Sequence, residues 1–232
     1  MRYAVIAAGE GSRLAQEGMT TPKPLVKIGG ECMIDRLVRI FVAAGAKEVC
    51  VVCNPSSEAY IKSCQEAGAP LRSIVRTTPS SMHSMYELMP MLEGDEPFVL
   101  TTVDTVFRES EFLAYVAAFE KMVAAGEADG LMGVTTYIDD EKPLYVATDD
   151  DLNIRAFLDA DENPRYVSGG IYGLTPRALA TLRRCVDRGE SRMRNFQRAL
   201  LNDGLQLKAF LLTKVIDVDH ASDIAKAEAL LH

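Results

Sequence analysis

Short apolar segments alternate along the chain with longer segments whose apolar residues recur at helical spacing. The apolar segments predict strands at Tyr3–Ala8, Glu48–Cys53, Leu71–Val75, Phe98–Thr102, Gly130–Thr136, Tyr166–Gly173, Leu207–Leu212 and Val215–Val218. Apolar residues at i, i+3 and i+4 predict helices at Met33–Ala44, Ser57–Ala67, Met82–Leu92, Glu109–Ala125, Pro176–Arg188, Arg192–Asn202 and Ala221–Leu231. Strands that are apolar throughout and separated by helices indicate a mostly parallel sheet covered on both faces. The pattern therefore predicts an α/β fold with three layers.

Two segments depart from this alternation. Residues 137–164 are acidic and rich in turn residues, with strand-like pieces at Leu144–Thr148 and Ile154–Leu158. We interpret them as a β-rich insertion that extends or caps the sheet within a single domain spanning residues 1–232. The segment from Gln16 to Gly30 contains two prolines and a terminal Gly-Gly, and it is predicted to form a long loop.

Composition narrows the class of protein. The chain has 232 residues, of which 48% are hydrophobic, and a net charge of -8, which suits one soluble domain and argues against nucleic-acid or membrane-surface partners. No segment approaches the roughly 20 apolar residues that span a bilayer. Five cysteines scattered through apolar segments are expected to be reduced thiols in a cytoplasm. Cys50 and Cys53 fall on opposite faces of a predicted strand, which favours two buried cysteines over a metal site.

The segment AAGEGSRL, which follows the first predicted strand, carries the strongest chemical signal. Gly9 and Gly11 alone could form an ordinary tight turn. A dinucleotide fingerprint would need a third glycine at Leu14, and no P-loop motif occurs. Small residues nevertheless let the backbone wrap around a polyphosphate, to which Arg13 adds a planar fork and Lys23, held between two prolines, adds a point charge. This combination favours phosphoryl or nucleotidyl transfer.

The motif A-A-G-x-G-S-R-L, followed by P-K-P-L and an I-G-G turn, resembles the signature of the nucleoside-triphosphate transferases. This family includes sugar-phosphate nucleotidyltransferases, molybdenum-cofactor guanylyltransferases and cholinephosphate cytidylyltransferases. The resemblance continues through KPLVKIGGECMIDRL, although Cys32 stands where proline is usual. It implies the Rossmann-like fold of nucleotide-diphospho-sugar transferases and the transfer of NMP from an NTP to a phosphorylated acceptor, most often a sugar phosphate, with release of pyrophosphate.

The resemblance also implies roles for individual residues. Arg13 and Lys23 are the expected catalytic cations. The expected nucleotide contacts are Ala7, Ala8, Gly9, Glu10, Gly11 and Ser12, together with Ser80 and Ser81 at the base. N-capping of the following helix is an equally good reason for serines at those two positions.

Two strand ends supply carboxylates for the expected cofactor, Mg²⁺, because hard cations prefer oxygen ligands. Asp104 ends one predicted strand, and Asp217 and Asp219 end another. Ligands bind at the carboxyl ends of strands in open parallel sheets, so these acids should share one edge with the glycine-rich loop. The resemblance matches Asp104 and Asp219 to the metal ligands. Solvated acids or helix caps are the plainer explanation for each one alone.

The acceptor site follows the resemblance less closely. The strand YVSGGIYGL matches one that lines the acceptor pocket in relatives and implies acceptor contacts from Ser168, Gly169 and Gly170, with serine where sugar-using relatives have asparagine. Leu158 and Asp159 stand where many relatives carry a Glu-Lys pair, and Lys142 is the candidate replacement. A hexose, polyol or choline-like phosphate therefore remains open as acceptor. Four tyrosines could form an aromatic box for a quaternary ammonium or could be ordinary strand residues: Tyr137, Tyr145, Tyr166 and Tyr172.

Two other classes of protein compete with the nucleotidyltransferase hypothesis. A glycosyltransferase would need D-x-D after the central strand, but the sequence there is TVDT, and its DVD lies near the C-terminus. A nucleotide-binding regulator without turnover would have less reason to keep Arg13, Lys23, Asp104 and Asp219 together. The sequence does not identify the base or the oligomeric state, so a homo-oligomer remains possible.

Overall fold

The structure is a computed structural model that describes residues 1–139, 141–160 and 165–231. Its strands are β1 (Arg2–Ala7), β2 (Lys27–Ile28), β3 (Glu31–Cys32), β4 (Val49–Cys53), β5 (Leu71–Val75), β6 (Phe98–Thr102), β7 (Thr105–Val106), β8 (Gly130–Thr135), β9 (Tyr145–Thr148), β10 (Ile154–Leu158), β11 (Val167–Leu174), β12 (Leu207–Leu212) and β13 (Ile216–Asp217). Its helices are α1 (Ser12–Gln16), α2 (Met33–Ala43), α3 (Pro55–Glu66), α4 (Ser81–Leu92), α5 (Glu109–Ala124), α6 (Arg177–Asp187), α7 (Met193–Asn202) and α8 (Ala221–Leu231).

The central sheet is mixed. Parallel pairing joins β5, β4, β1 and β6 in that spatial order, and a second parallel pair joins β8 to β12. Strand β11 lies antiparallel between β6 and β8 and so connects the two parallel parts. The first strands are aligned so that Ile6 lies beside both Val52 and Thr102, which brings the ends of β1, β4 and β6 to one edge.

Two apolar cores cover the two faces of the sheet, as the uninterrupted apolar strands predicted. One core contains side chains of α2, α5 and α8, and the other contains side chains of α4, α6 and α7. Cys53 belongs to the first core and Cys50 to the second, and both are buried. The predicted three-layer α/β fold is therefore confirmed, and the C-x-x-C pair lies on opposite faces of β4 as expected. No helix of the described residues is long and apolar enough to cross a membrane.

The segment from Gln16 to Gly30 is mostly irregular, as predicted, but it and its flanks contain short elements that the sequence pattern did not indicate. Gly11 takes the left-handed conformation at φ 62°, and α1 begins directly after it, anchored by the buried side chain of Leu14. A 3-10 turn follows at Lys23–Leu25, and β2 and β3 form a small hairpin. Such short elements have little apolar periodicity of their own, so they depend on contacts with the rest of the protein.

The predicted insertion forms an antiparallel hairpin of β9 and β10, which joins the sheet where Tyr145 pairs with Val167 at the start of β11. The carboxylate of Asp149 organises the turn by accepting hydrogen bonds from the backbone N–H groups of Asp151 and Asn153. Residues 140 and 161–164 of the insertion lie outside the described residues.

Candidate active site

A cleft of about 470 Å³ lies at the edge where β1, β4 and β6 end. The loop after β1 contributes Gly9 and Gly11 to the lining of the cleft, and Asp104 enters from the turn after β6. Asn54, which follows β4, donates a 3.0 Å hydrogen bond from Nδ2 to the carbonyl of Gly9. The strand topology therefore places the glycine-rich loop and the carboxylate side by side, at the carboxyl ends of parallel strands where ligands bind.

The side chain of Lys23 lines this cleft between two carboxylates. Its Nζ atom lies 2.5 Å from Oδ2 of Asp104 and 2.6 Å from Oδ1 of Asp219. Lys23 is only 8% exposed, so the protein shields most of this residue from solvent. Burial opposes the charge, but the two carboxylates outweigh it and raise the pKa of Lys23 above its ordinary value. The ammonium is therefore a permanent cation held between two acids.

Local backbone geometry explains how a lysine reaches this place. The 3-10 turn at Lys23–Leu25 follows Pro22, and Pro24 is buried within it. A Cβ atom on Gly11 would lie 3.0 Å from Cβ of Lys23, so glycine lets the phosphate loop pack directly on the lysine stem. The two halves of the N-terminal motif thus form one packed unit.

Asp104 and Asp219 meet because the segments that carry them pair with each other. Strand β13 runs antiparallel to β7, and the N–H of Val218 donates a 3.0 Å hydrogen bond to the carbonyl of Asp104. Although burial opposes ionisation of Asp104, Lys23 and the Thr102 hydroxyl hold the pKa of this carboxyl below its ordinary value. Arg13 reaches the second acid, with Nη1 2.5 Å from Oδ2 of Asp219. Four predicted site residues therefore form one alternating chain of charges.

The threonines beside Asp104 extend this network towards Asp217. The hydroxyls of Thr102 and Thr105 lie 2.6 Å apart, and Thr105 Oγ1 donates a 3.2 Å hydrogen bond to Oδ1 of Asp217. Gly170 packs against both threonines, and a Cβ atom there would lie 2.6 Å from Oγ1 of Thr105. Glycine at position 170 therefore lets β11 approach the threonines beside Asp104 closely. The direct acceptor contact expected of Gly170 from the sequence stays a prediction.

The carboxylate pair fits a hard divalent cation. Asp104 and Asp219 already converge on one positive group, the ammonium of Lys23. No cluster of three or more His, Cys, Asp or Glu within the described residues could hold a metal by itself. Mg²⁺ is commonly bound by one or two carboxylates together with substrate phosphates and water. The donor set is therefore suited to a Mg²⁺ ion that arrives with a triphosphate.

The other predicted nucleotide contacts divide into two groups. Those that line the cleft are Gly9, Glu10, Gly11, Ser12, Ser80 and Ser81. Ala7 and Ala8 are buried at the end of β1 and do not belong to this lining. Ser80 occupies the residue before α4, but its hydroxyl interacts with His83 Nδ1 at 2.9 Å and accepts the N–H of Arg192 at 3.1 Å. Its side chain thus joins the cleft to α7 and does not cap α4.

A second cavity, of about 150 Å³, adjoins the cleft, and Arg13 and Asp219 line both. Ser168 and Gly169 line this smaller cavity, as the acceptor prediction required. Four more acidic residues line it: Asp139, Glu141, Asp217 and Asp223. The basic residues in its lining are Arg13, His220 and Lys226.

The structure gives less support to two ideas about the acceptor. Glu141 and Pro143 line the smaller cavity, but Lys142 does not, and the carbonyl of Lys142 accepts a 2.8 Å hydrogen bond from Arg194. Of the four tyrosines, Tyr137 lines this cavity and the other three do not. Tyr166 and Tyr172 are buried in the core, and the ring of Tyr137 is covered by the ammonium of Lys214 at 4.0 Å.

Sequence reasoning missed two contributors to the site. The carboxylate Oδ2 of Asp223 accepts the backbone N–H groups of Asp219 and His220 at 3.2 and 2.8 Å, and so fixes the segment that carries the second acid. Its first-turn position in the last helix was the available signal. Asn54 stands at the end of a parallel strand beside β1, which could also have marked it as a site residue.

Comparisons with known proteins agree with this geometry. The model of the MobA-like NTP transferase domain matches residues 3–202, and the chain belongs to this family. The bifunctional IPC transferase and DIPP synthase of Rubrobacter xylanophilus is 26% identical over 98% of this chain and 51% of its own length. The CMP-5'-(3-aminopropyl)phosphonate synthase of Streptomyces rubellomurinus is 26% identical over 61% of this chain and 25% of its own length.

A solved structure shows the same fold over the whole chain. The inositol-1-phosphate CTP transferase from T. maritima superposes with a TM-score of 0.78 at 17% identity and covers 100% of this chain and 98% of that protein. The chain spans about half of the Rubrobacter xylanophilus protein and a quarter of the Streptomyces rubellomurinus protein. The family and the Rossmann-like fold inferred from the N-terminal motif are thereby confirmed.

Proposed function

We propose that the chain transfers CMP from CTP to a small acceptor that carries a phosphate or phosphonate group, with release of pyrophosphate. The observation that carries this proposal is the position of Lys23, whose ammonium lies between Asp104 and Asp219 in the larger cleft, while Asp219 lines both cavities. The larger cleft has the volume of a ligand site for a nucleotide, and the smaller cavity suits a compact acceptor.

The reaction needs charge stabilisation more than covalent chemistry from the protein. An acceptor oxygen would form a bond to the α-phosphorus while the bond to the pyrophosphate leaving group breaks. Arg13 and Lys23 lie where they can stabilise the charge on the transferring and leaving phosphates. Mg²⁺, held by Asp104 and Asp219, would neutralise charge on the triphosphate oxygens when bound.

The choice of CTP is supported by the names of the relatives. The Streptomyces rubellomurinus protein is named for a CMP product, and the T. maritima protein is named for CTP. Their acceptors, an aminoalkyl phosphonate and a polyol phosphate, favour this cytidylyl hypothesis over the hexose phosphate that the motif first suggested. A choline-like acceptor has weaker support because Tyr137 alone of the four candidate tyrosines lines the smaller cavity, and its ring is covered by the ammonium of Lys214.

A pyrophosphate-release screen tests the proposal. Each of the four NTPs is combined with phosphorylated sugars, polyols, amino-alcohols and aminoalkyl phosphonates in the presence of Mg²⁺. We expect release only when CTP and one acceptor class are both present. Lys23→Ala should abolish it, whereas Lys27→Ala, which alters an exposed lysine of β2, should not. Pyrophosphate release in the absence of an acceptor would contradict the proposal. So would the absence of release with every combination of NTP and acceptor.

A further inference from the structure

We propose that Lys226 binds the phosphate or phosphonate group of the acceptor, an inference that rests on the function proposed above. Lys226 lies on α8, and its side chain lines the smaller cavity beside Arg13 and Ser168. The sequence has Leu158 and Asp159 where the resemblance led us to expect a lysine. A cation from α8 that lines the cavity would replace that missing charge.

The geometry of the ammonium leaves room for a ligand. Its Nζ donates to Oδ2 of Asp139 at 2.7 Å and to Oδ1 of Asp223 at 3.1 Å. An ammonium has three N–H donors, and no further acceptor for Lys226 is found in the described part of the chain. The two carboxylates, Asp139 first, raise the pKa of Lys226, so the group stays charged at neutral pH. A phosphate oxygen can therefore take the third donor.

The charge of the cavity makes this donor important. Five carboxylates line the cavity, from Asp139, Glu141, Asp217, Asp219 and Asp223. Arg13 is engaged by Asp219 and is shared with the nucleotide cleft, and Nδ1 of His220 lies 2.6 Å from Glu17. Lys226 is thus the permanent cation that lines the smaller cavity without also lining the nucleotide cleft. Without it a dianionic acceptor would meet mainly negative charge, which disfavours binding.

A purely structural role for Lys226 predicts something different. In that case the ion pair with Asp139 would only hold the segment after β8 against α8. Substitution of Lys226 and substitution of Asp139 would then have the same effect on acceptor affinity. If Lys226 binds the acceptor, loss of Asp139 removes a competing anion and leaves the ammonium in place. The two substitutions then have opposite effects on acceptor affinity.

Steady-state kinetics with the acceptor found in the screen separate these roles. Lys226→Met should raise the acceptor KM roughly tenfold or more, the loss expected for a charged hydrogen bond, with little change in the KM for CTP. Lys226→Arg should recover part of the loss, and Asp139→Asn should lower the acceptor KM. Lys62→Met, an exposed lysine on α3, is the matched control.

Three outcomes would overturn the inference. The first is an unchanged acceptor KM in Lys226→Met, and the second is a rise of the same size in Asp139→Asn. The third is a selective rise in acceptor KM in Lys142→Ala with none in Lys226→Met, which would assign the role to Lys142. Absence of acceptor-dependent turnover in the wild-type protein would instead contradict the proposed function, and this inference with it.

Discussion

Replacing Lys23 by methionine should destabilise the protein as well as stop turnover. Methionine keeps most of the apolar stem that packs on Gly11 but removes the ammonium. Asp104 and Asp219 would then face each other without the cation that now lies 2.5 and 2.6 Å from their oxygens. Asp219 would keep its contact with Arg13, but Asp104 would lose the cation that compensates it and would be repelled by the second acid in a region of low dielectric.

The size of the effect follows from the burial of the three groups. The Lys23 side chain is 9% exposed, but those of Asp104 and Asp219 are 22% and 32% exposed. Removing one partner of a fully buried ion pair costs about 3–5 kcal/mol, and water reaches both acids here, so we expect about 2 kcal/mol. For a protein of this size that corresponds to a decrease in Tm of about 4–8 °C.

Scanning calorimetry in EDTA measures this loss, with Lys27→Met, which alters an exposed lysine of β2, as a matched control. Millimolar Mg²⁺ should raise the Tm of Lys23→Met more than that of the wild type, because a divalent cation can replace the missing ammonium between the acids. A Tm for Lys23→Met in EDTA equal to that of the wild type would refute the assignment of Lys23 as the counter-ion of Asp104 and Asp219.

Three further predictions concern other parts of the chain. Arg13→Ala should lower kcat/KM by roughly 10²-fold or more; its Tm should stay near that of the wild type because the side chain is 44% exposed, and kinetics with melting curves check both. Gly170→Ala should lower Tm more than Gly126→Ala, since φ is similar at 69° and 65° but only the former places Cβ 2.6 Å from a threonine hydroxyl; equal melting temperatures would contradict this. Hydrogen bonds from Asn153 hold the pKa of Asp149 at about 2, below the ordinary 3.8, so the ionised carboxylate stabilises the folded protein above about pH 4 and this stabilisation is lost as pH falls towards 2. The Tm difference between wild type and Asp149→Asn should therefore shrink from about pH 5 to about pH 2.5. A constant Tm difference would show that this carboxylate does not contribute.

Apolar periodicity was sufficient to predict the layers of the fold, because strands such as β4 are buried along their whole length. It did not indicate the short elements between Ser12 and Cys32, where α1 and the β2–β3 hairpin depend on tertiary contacts and the left-handed backbone of Gly11. Apolar periodicity also predicted that α3 begins at Ser57, two residues late. Proline is typical of loops, but Pro55 is well suited to the first helical turn.

The site was predictable where it depends on strand ends. Asp104 follows the central strand β6, as predicted, whereas Asp219 reaches it because β13 pairs with β7 in a separate two-stranded sheet and not in the central one. The burial of Lys23 was not predictable, because it depends on how a 3-10 turn packs against the glycine-rich loop. Lys226 was missed although Asp223 and Lys226 are three residues apart and so lie on one face of α8.

The most direct test of the proposed function is identification of the products by ³¹P NMR and mass spectrometry. Wild-type protein is incubated with CTP, Mg²⁺ and the acceptor that gives pyrophosphate release, beside Asp104→Asn as the inactive comparison. We predict that CMP becomes linked to the acceptor through a new P–O–P bond, with one pyrophosphate formed per CTP consumed, and that Asp104→Asn yields neither. Formation of CMP or CDP without a linked product would contradict nucleotidyl transfer.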